Sequence, residues 1–277
     1  MTLKDALGQA TAAGLDRLDA QMLLLLALQR SPHDRAWLRA HDSDALQADA
    51  QARLDTLVQR RQRGEPMAYL CGHQEFFGLQ LQVDPRVLVP RPDTETLVDW
   101  ALDLLDEPSG AAHVLDLGTG SGAIALAIAS QRPQATVSAT DASEDALSVA
   151  RGNAWRLGLP VRFHAGSWLD AVPGQRFHLI VSNPPYVAEG DPHLAALTHE
   201  PLTALTAGAD GLDDIRRIVA GAPQALLPGG WLLIEHGFDQ AAAVRELLES
   251  TGFAPVSSRT DLAAIERCSG GQWPQQR

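Results

Sequence analysis

From residue 113 onward, short apolar runs alternate with helical segments, and that rhythm admits few folds. Residues 113–117, 136–140, 161–164, 177–182 and 231–235 read as strands, the first and last of them short apolar runs. Helices are expected between them over 122–130, 146–157, 212–227 and 239–250. Repeated strand–helix order implies a mostly parallel α/β sheet with helices on either side. The tail is mixed.

The front of the chain has a different character. Leu3, Leu7, Leu15 and Leu18 lead into the run 22–28, and Leu46, Leu54, Leu57 and Val58 recur at helical spacing. Ser31-Pro32 and Ser43 read as helix starts, and Gly64 followed by Pro66 as a stop. Residues 1–65 therefore read as a small helical bundle, whose leucines suffice to build a core and whose outer face is a candidate for partner recognition. Residues 66–92 read as a hairpin and connecting arm: within Phe76 to Val83 apolar and polar residues alternate after Gly78, then Asp84-Pro85 and Pro90-Arg91-Pro92 force extended or turn backbone. The α/β domain is expected over 93–277, opening with a helix near Asp93.

Two stretches carry chemistry. Asp116-Leu117-Gly118-Thr119-Gly120-Ser121-Gly122 is a strand end, a glycine loop and a helix start. Such a loop lets a ligand approach the backbone and presents unpaired N–H groups, but dinucleotide-binding folds share it. Asp141 ends the next strand, about 20 residues on, where a carboxylate can accept both ribose hydroxyls of an adenosine. A helix N-cap is its other reading. Together the loop, Asp116 and Asp141 resemble the S-adenosylmethionine site of class I methyltransferases; a dehydrogenase is the competitor. The second stretch is Asn183-Pro184-Pro185-Tyr186, delivered by an apolar strand to its C-terminal edge. The prolines pre-organise the backbone. The Asn183 carboxamide oxygen and the Pro184 carbonyl are neutral acceptors for the N–H groups of a planar nitrogen, and Tyr186 can cover a flat target. The nitrogen of adenine, guanine or a carboxamide fits equally.

Resemblance narrows that choice. Residues 66–78 (PMAYLCGHQEFFG), the arm 89–95, the glycine loop, 183–186, 200–205 (EPLTAL) and Glu235-His236-Gly237 are similar to the protein-(glutamine) methyltransferases that modify peptide-chain release factors, the PrmC/HemK group. A sister family acting on a ribosomal-protein glutamine shares the Asn-Pro-Pro-Tyr motif but differs after the arginine of the arm. The resemblance implies a Rossmann-like class I methyltransferase domain behind a helical recognition domain. It implies that Gly118, Thr119, Gly120, Ser121, Gly122, Asp141, Trp168 and Asn183 bind S-adenosyl-L-methionine, which leaves as S-adenosyl-L-homocysteine. It further implies that Asn183, Pro184, Pro185 and Tyr186 hold the glutamine, Asn183, Pro184 and Tyr186 being the catalytic set. Taken alone, Trp168 reads as a core or a stacking aromatic. Arg91 is expected to close over the pocket or to tie the domains together. The tail after Asp261 matches loosely.

Charge and cysteines bound the alternatives. The net charge of −12 disfavours indiscriminate binding to phosphate backbones, so no direct nucleic-acid contact is expected, and Arg60-Arg61-Gln62-Arg63 reads as a helix C-terminus. A nucleic-acid amino-methyltransferase stays as the alternative. Cys71 and Cys268 are too far apart and too few for a disulfide framework or zinc site, so no metal is expected and a cytoplasmic setting is. Apolar runs such as 22–28 are too short to span a bilayer, and no signal peptide or anchor is expected. Gly270-Gly271-Gln272 repeats the tripeptide that the family methylates in release factors, and coincidence is its preferred reading over self-modification.

Overall fold

The computed structural model describes residues 1–106 and 111–275, which divide into two compact units: Met1–His73 with Ala195–His199, and Gln74–Leu194 with Glu200–Arg277. Residues of the arm, 66–92, are shared between the two. Among the described residues, no helix is long and apolar enough to cross a membrane.

The first unit is helical: α1 (Leu3–Ala12), α2 (Arg17–Ala27), α3 (Arg35–Ala40), α4 (Ala48–Gln62) and α5 (Met67–Cys71). Thr2 and Asp5 form a reciprocal capping box on α1, while Asp16 and Asp34 cap α2 and α3 through their side chains. Ser31 and Ser43 are not caps: Asp34 starts α3, and α4 begins only after Gln47, without a side-chain cap. The central α2 packs against its neighbours through Leu23, Leu24 and Leu25, all fully buried. Arg60 and Arg61 near the end of α4 pair with Glu65 and Asp19, so two charges of that cluster are already neutralised.

In the second unit, β1 (His73–Phe76) and β2 (Leu79–Gln82) form a hairpin, and α6 (Glu95–Leu104) follows. Then come β3 (His113–Leu117), α7 (Ala123–Gln131), β4 (Thr136–Asp141), α8 (Glu144–Leu157), β5 (Val161–Ala165), β6 (Phe177–Ser182), α9 (Asp213–Ala225), β7 (Leu226–Glu235), α10 (Ala241–Thr251), β8 (Val256–Thr260) and β9 (Glu266–Gln272). The sheet order is β5-β4-β3-β6-β7-β9-β8, with parallel pairing from β5 to β7 and antiparallel pairing of β9 with both neighbours.

Strand periodicity sorts the core into two layers. Val114 on β3, Val181 on β6 and Leu233 on β7 pack under α6 and α7, whereas Leu115, Leu117, Ile180 and Ile234 pack under α9 and α10. α7 is apolar all round, and Ala123 through Ala129 are buried without exception, which explains why it has no polar stripe. The chain runs outward from β3 through β4 to β5 and then returns to β6 on the other side of β3. Open α/β sheets form their ligand crevice at such a reversal, outside the C-terminal strand ends. The glycine loop after β3, Asp141 on β4 and Asn183 after β6 all lie there.

Gly270-Gly271-Gln272 is not an accessible loop. Gly270 and Gly271 pair with Leu233 and Leu232 inside the sheet, and the Gln272 side-chain nitrogen donates to the Gly229 carbonyl at 2.9 Å. The tripeptide is structural.

Candidate active site

A cavity of about 320 Å³ opens at the strand reversal, and Gly118, Gly120, Asp141, Trp168, Asn183 and Pro185 all line it. That volume lies in the range of small-ligand and cofactor sites. Arg86, Val87 and Leu88 of the arm contribute to the wall, as do Pro201, Thr203 and Ala204.

The glycine loop is held from three sides. Gly118 and Thr119 each donate a backbone N–H to the Thr140 carbonyl at 2.9 Å, which ties the loop to the end of β4. Gly120 donates to Asp141 Oδ2, also at 2.9 Å. Behind the loop, the fully buried Asn153 donates from Nδ2 to the carbonyls of Ser121 and Gln82, and its Oδ1 accepts from the Gln82 N–H. Thr119 and Ser121 are themselves buried, and Gly122 starts α7 in the left-handed region, so these three shape the loop from inside.

Gly118 has φ +71°, and a Cβ there would stand 3.0 Å from Trp168 Cζ3. Only a glycine lets the indole lie this close to the loop backbone. Trp168 itself has φ +47°, a conformation unfavourable for a bulky residue. Its Nε1–H donates to Asp214 Oδ1 at 3.2 Å while the side chain packs on the α9–α10 layer. Core contact and cavity wall are thus both parts of its role.

Asp141 is not the cap of α8; that position belongs to Ser143, whose side chain accepts from the Ala146 N–H. The Asp141 carboxylate accepts from the Gly120 and Ser143 N–H groups, and burial pushes its pKa up against those bonds. Asp116 is fully enclosed. Thr119 Oγ1 donates to its Oδ2 at 2.6 Å and the Ala125 N–H at 3.2 Å, yet Oδ1 has no partner among the described residues. Burial raises its carboxyl to about 7, against the pull of the Thr119 and Ala125 bonds.

Asn183 donates from Nδ2 to Thr94 Oγ1 at 3.3 Å. The buried Thr94 lies just before α6, so its hydroxyl engages the donor end of the amide, whose oxygen is an acceptor by nature, and Asn183 itself lines the cavity. Pro184 and Tyr186 do not line the cavity. Pro184 is buried, and the Tyr186 phenol is held above its ordinary pKa first by burial and then by the nearby Glu235. Behind it, the Tyr186 carbonyl accepts from Gln240 Nε2 at 3.0 Å, and Gly211, at φ +74°, packs on that same carbonyl where a Cβ could not fit. Glu235 at the end of β7 is fully enclosed. Burial raises its carboxyl to about 7, although the Thr94 hydroxyl, Arg267 and the Tyr186 hydroxyl favour the anion.

Thr94, Asn153 and Asp214 were not legible as site residues in the sequence. Thr94 lies within the arm 89–95 that carries the resemblance, and Asn153 left a trace as a polar residue on the inward face of α8, beside Ala150 and Ala154.

The chain is similar to known methyltransferases. The sequence matches the Methyltransferase small domain family over residues 98–251 and the PrmC N-terminal domain family over residues 2–72. The release factor glutamine methyltransferase of Bordetella pertussis is 54% identical over 272 residues, covering 97% of this chain and 98% of that one. The protein of the same name in Burkholderia pseudomallei is also 54% identical, covering 95% of this chain and 94% of its own. A methyltransferase structure from Pyrococcus furiosus shares the fold, with a TM-score of 0.55 at 21% identity over 79% of this chain and 100% of that one. On this evidence the chain belongs to the release factor glutamine methyltransferase family.

Proposed function

We propose that this protein transfers the methyl group of S-adenosyl-L-methionine to the side-chain amide nitrogen of the glutamine in the Gly-Gly-Gln segment of a peptide-chain release factor. The observation that carries this reading is one cavity with two chemically distinct walls: the glycine loop, Asp141 and Trp168 on one, and Asn183 with Pro185 on the other.

The first wall suits a nucleoside. Asp141 keeps lone pairs for ribose hydroxyls beside the two N–H groups that it already accepts, Trp168 offers an aromatic face, and Gly118 and Gly120 keep the floor free of side chains. Thr119, Ser121 and Gly122 hold that floor in shape. When bound, S-adenosyl-L-methionine supplies an activated methyl on a sulfonium, so the acceptor nitrogen does not require deprotonation by a strong base beforehand.

The chain's own task is alignment and polarisation. An amide lone pair is delocalised, and it becomes available only as the nitrogen turns tetrahedral. Asn183 Oδ1 accepts an N–H bond that strengthens as this happens, which is stabilisation specific to the transition state, while the buried Pro184 fixes the backbone behind it. Pro185 completes the acceptor wall, and Tyr186 supports it from behind, packed on the α9–α10 layer with its hydroxyl at Glu235. Neutral acceptors avoid salt formation with the incoming group, and rigid placement by the prolines supplies proximity. A translation-linked substrate places the reaction in the cytoplasm.

The test is incubation of the protein with labelled donor and either purified release factor, the same factor with Gln→Ala in Gly-Gly-Gln, or structured RNA. Label on the first alone is expected. Label on RNA, or undiminished label on the Gln→Ala factor, overturns the reading.

A further inference from the structure

The charge of this protein is unevenly distributed. Residues 1–73 hold nine Lys/Arg and nine Asp/Glu, so the whole net charge of −12 lies beyond them. Within the helical unit, Arg30, Arg53, Arg60 and Arg61 each meet a carboxylate, on Asp34, Asp49, Glu65 and Asp19. Among the described residues the other five cations, Lys4, Arg17, Arg35, Arg39 and Arg63, form no ion pair. Four of those five line a single groove of about 550 Å³. Asp42 is the one acid on its wall, and Leu3, Leu7 and Leu38 supply apolar surface.

Helix formation accounts for Arg39, in the last turn of α3, but not for the other three. Lys4 lies in the first turn of α1, while Arg17 and Arg35 open α2 and α3. Positive charge there opposes the helix macrodipole, and an acidic residue is the stabilising choice. Three exposed cations set against local preference, all bordering one groove, mark a place where stability yields to binding. A track for a phosphate backbone needs cations without an apolar floor. A cationic rim over leucines suits a polypeptide with carboxylates flanking an apolar side chain.

We propose, on the reading that the substrate is a release factor, that this groove docks an acidic amphipathic segment of that protein, separate in sequence from the reacting glutamine. The segment adds affinity for the intact substrate and takes no part in methyl transfer.

The variant Arg17→Glu/Arg35→Glu tests this directly, because both substitutions favour their helices and the fold should survive, as circular dichroism will show. Steady-state kinetics compare intact release factor with a short peptide containing Gly-Gly-Gln. Charge reversal should raise KM for the intact factor about tenfold and weaken its dependence on salt, with kcat unchanged. KM for the peptide should not move, and Arg17→Lys/Arg35→Lys should behave as wild type. An unchanged KM for the intact factor sinks the inference, and so does an equal rise for the peptide. Competition by a short RNA duplex against wild type but not the variant sinks it as well, by naming a different occupant. Wild-type protein that fails to methylate release factor removes the functional reading and this inference together, whereas normal wild-type turnover beside an unaffected variant removes the inference alone.

Discussion

Arg91 donates to Oε1 of the buried Glu200 carboxylate, whose Oε2 accepts the Val89 N–H at 3.0 Å. The pair fastens the proline-rich arm to the segment that begins Glu200-Pro201. Both pieces line the cavity, through Arg86, Val87 and Leu88 on one side and Pro201, Thr203 and Ala204 on the other. Arg91 is therefore a clasp within the catalytic unit. Arg91→Ala strands a carboxylate that is only 2% exposed, while Arg91 itself is 39% exposed. The expected cost is about 2 kcal/mol, below that for a fully enclosed pair. Thermal unfolding should show that loss together with weaker cofactor binding, and Arg91→Ala/Glu200→Gln should recover part of the stability. A double variant no more stable than the single would remove the clasp.

Asn183→Ala should lower kcat by about 100-fold or more while the melting temperature stays near that of wild type, since the residue supplies an acceptor and little packing. Thr94→Val tests how the acceptor is oriented. With Nδ2 released from Thr94 Oγ1, the amide can rotate, and kcat should fall about tenfold. Full activity in Thr94→Val would mean that the hydroxyl does not set the amide.

The strands and the glycine loop were readable because their information is local: an apolar run of the right length, then residues with special backbone freedom. The site's support was not. Thr94 and Asn183 stand 89 positions apart, and Asn153 reaches Gln82 across 71. No window of sequence contains such a pair, and folding alone brings it together. Caps show the same limit on a smaller scale. Ser43 has the right chemistry for a helix start, but Asp34 and Gln47 occupy the positions where the backbone turns. At Trp168, composition left core and stacking roles open, and the structure shows one indole touching both the core and the cavity.

Asp141→Ala should weaken S-adenosyl-L-methionine binding roughly 10- to 100-fold, the range expected when charge-assisted hydrogen bonds are lost. Asp141→Asn keeps an acceptor for the Gly120 N–H and should fall in between. Calorimetry that finds wild-type affinity in the alanine variant would free Asp141 from any contact with the ribose.

Glu235 connects the site to pH. Its folded value, about 7, stands above its ordinary 4.5 because of burial. Between those values the fold keeps a proton that the unfolded chain has lost. The stability contributed is full below pH 4.5 and disappears as pH rises through 7, at most about 3 kcal/mol. Asp116 behaves in the same sense, rising from 3.8 to about 7, but it is common to wild type and Glu235→Gln. The difference between the two proteins isolates Glu235. Wild type should lose more stability between pH 5 and pH 8 than Glu235→Gln; equal losses in denaturant titrations would show that residue 235 does not hold the proton.

Gly118→Ala joins backbone conformation to cofactor affinity. The φ of +71° costs an L-residue roughly 1–2 kcal/mol, and the new methyl would sit 3.0 Å from Trp168 Cζ3. The indole must give way by a few tenths of an ångström, which disturbs its bond to Asp214 and its packing on the α9–α10 layer. That movement changes the cavity wall, so affinity for S-adenosyl-L-methionine should drop about tenfold or more while the sheet beneath stays intact. Six tryptophans contribute to the fluorescence, so the Trp168 signal must be taken as the difference between each protein and its Trp168→Phe counterpart. That difference should be altered in Gly118→Ala and unaltered in Gly174→Ala, whose glycine has positive φ but no neighbour within 4 Å of a Cβ. If both substitutions perturb it equally, backbone strain alone is at work and the close approach of Trp168 to the loop has no part in binding.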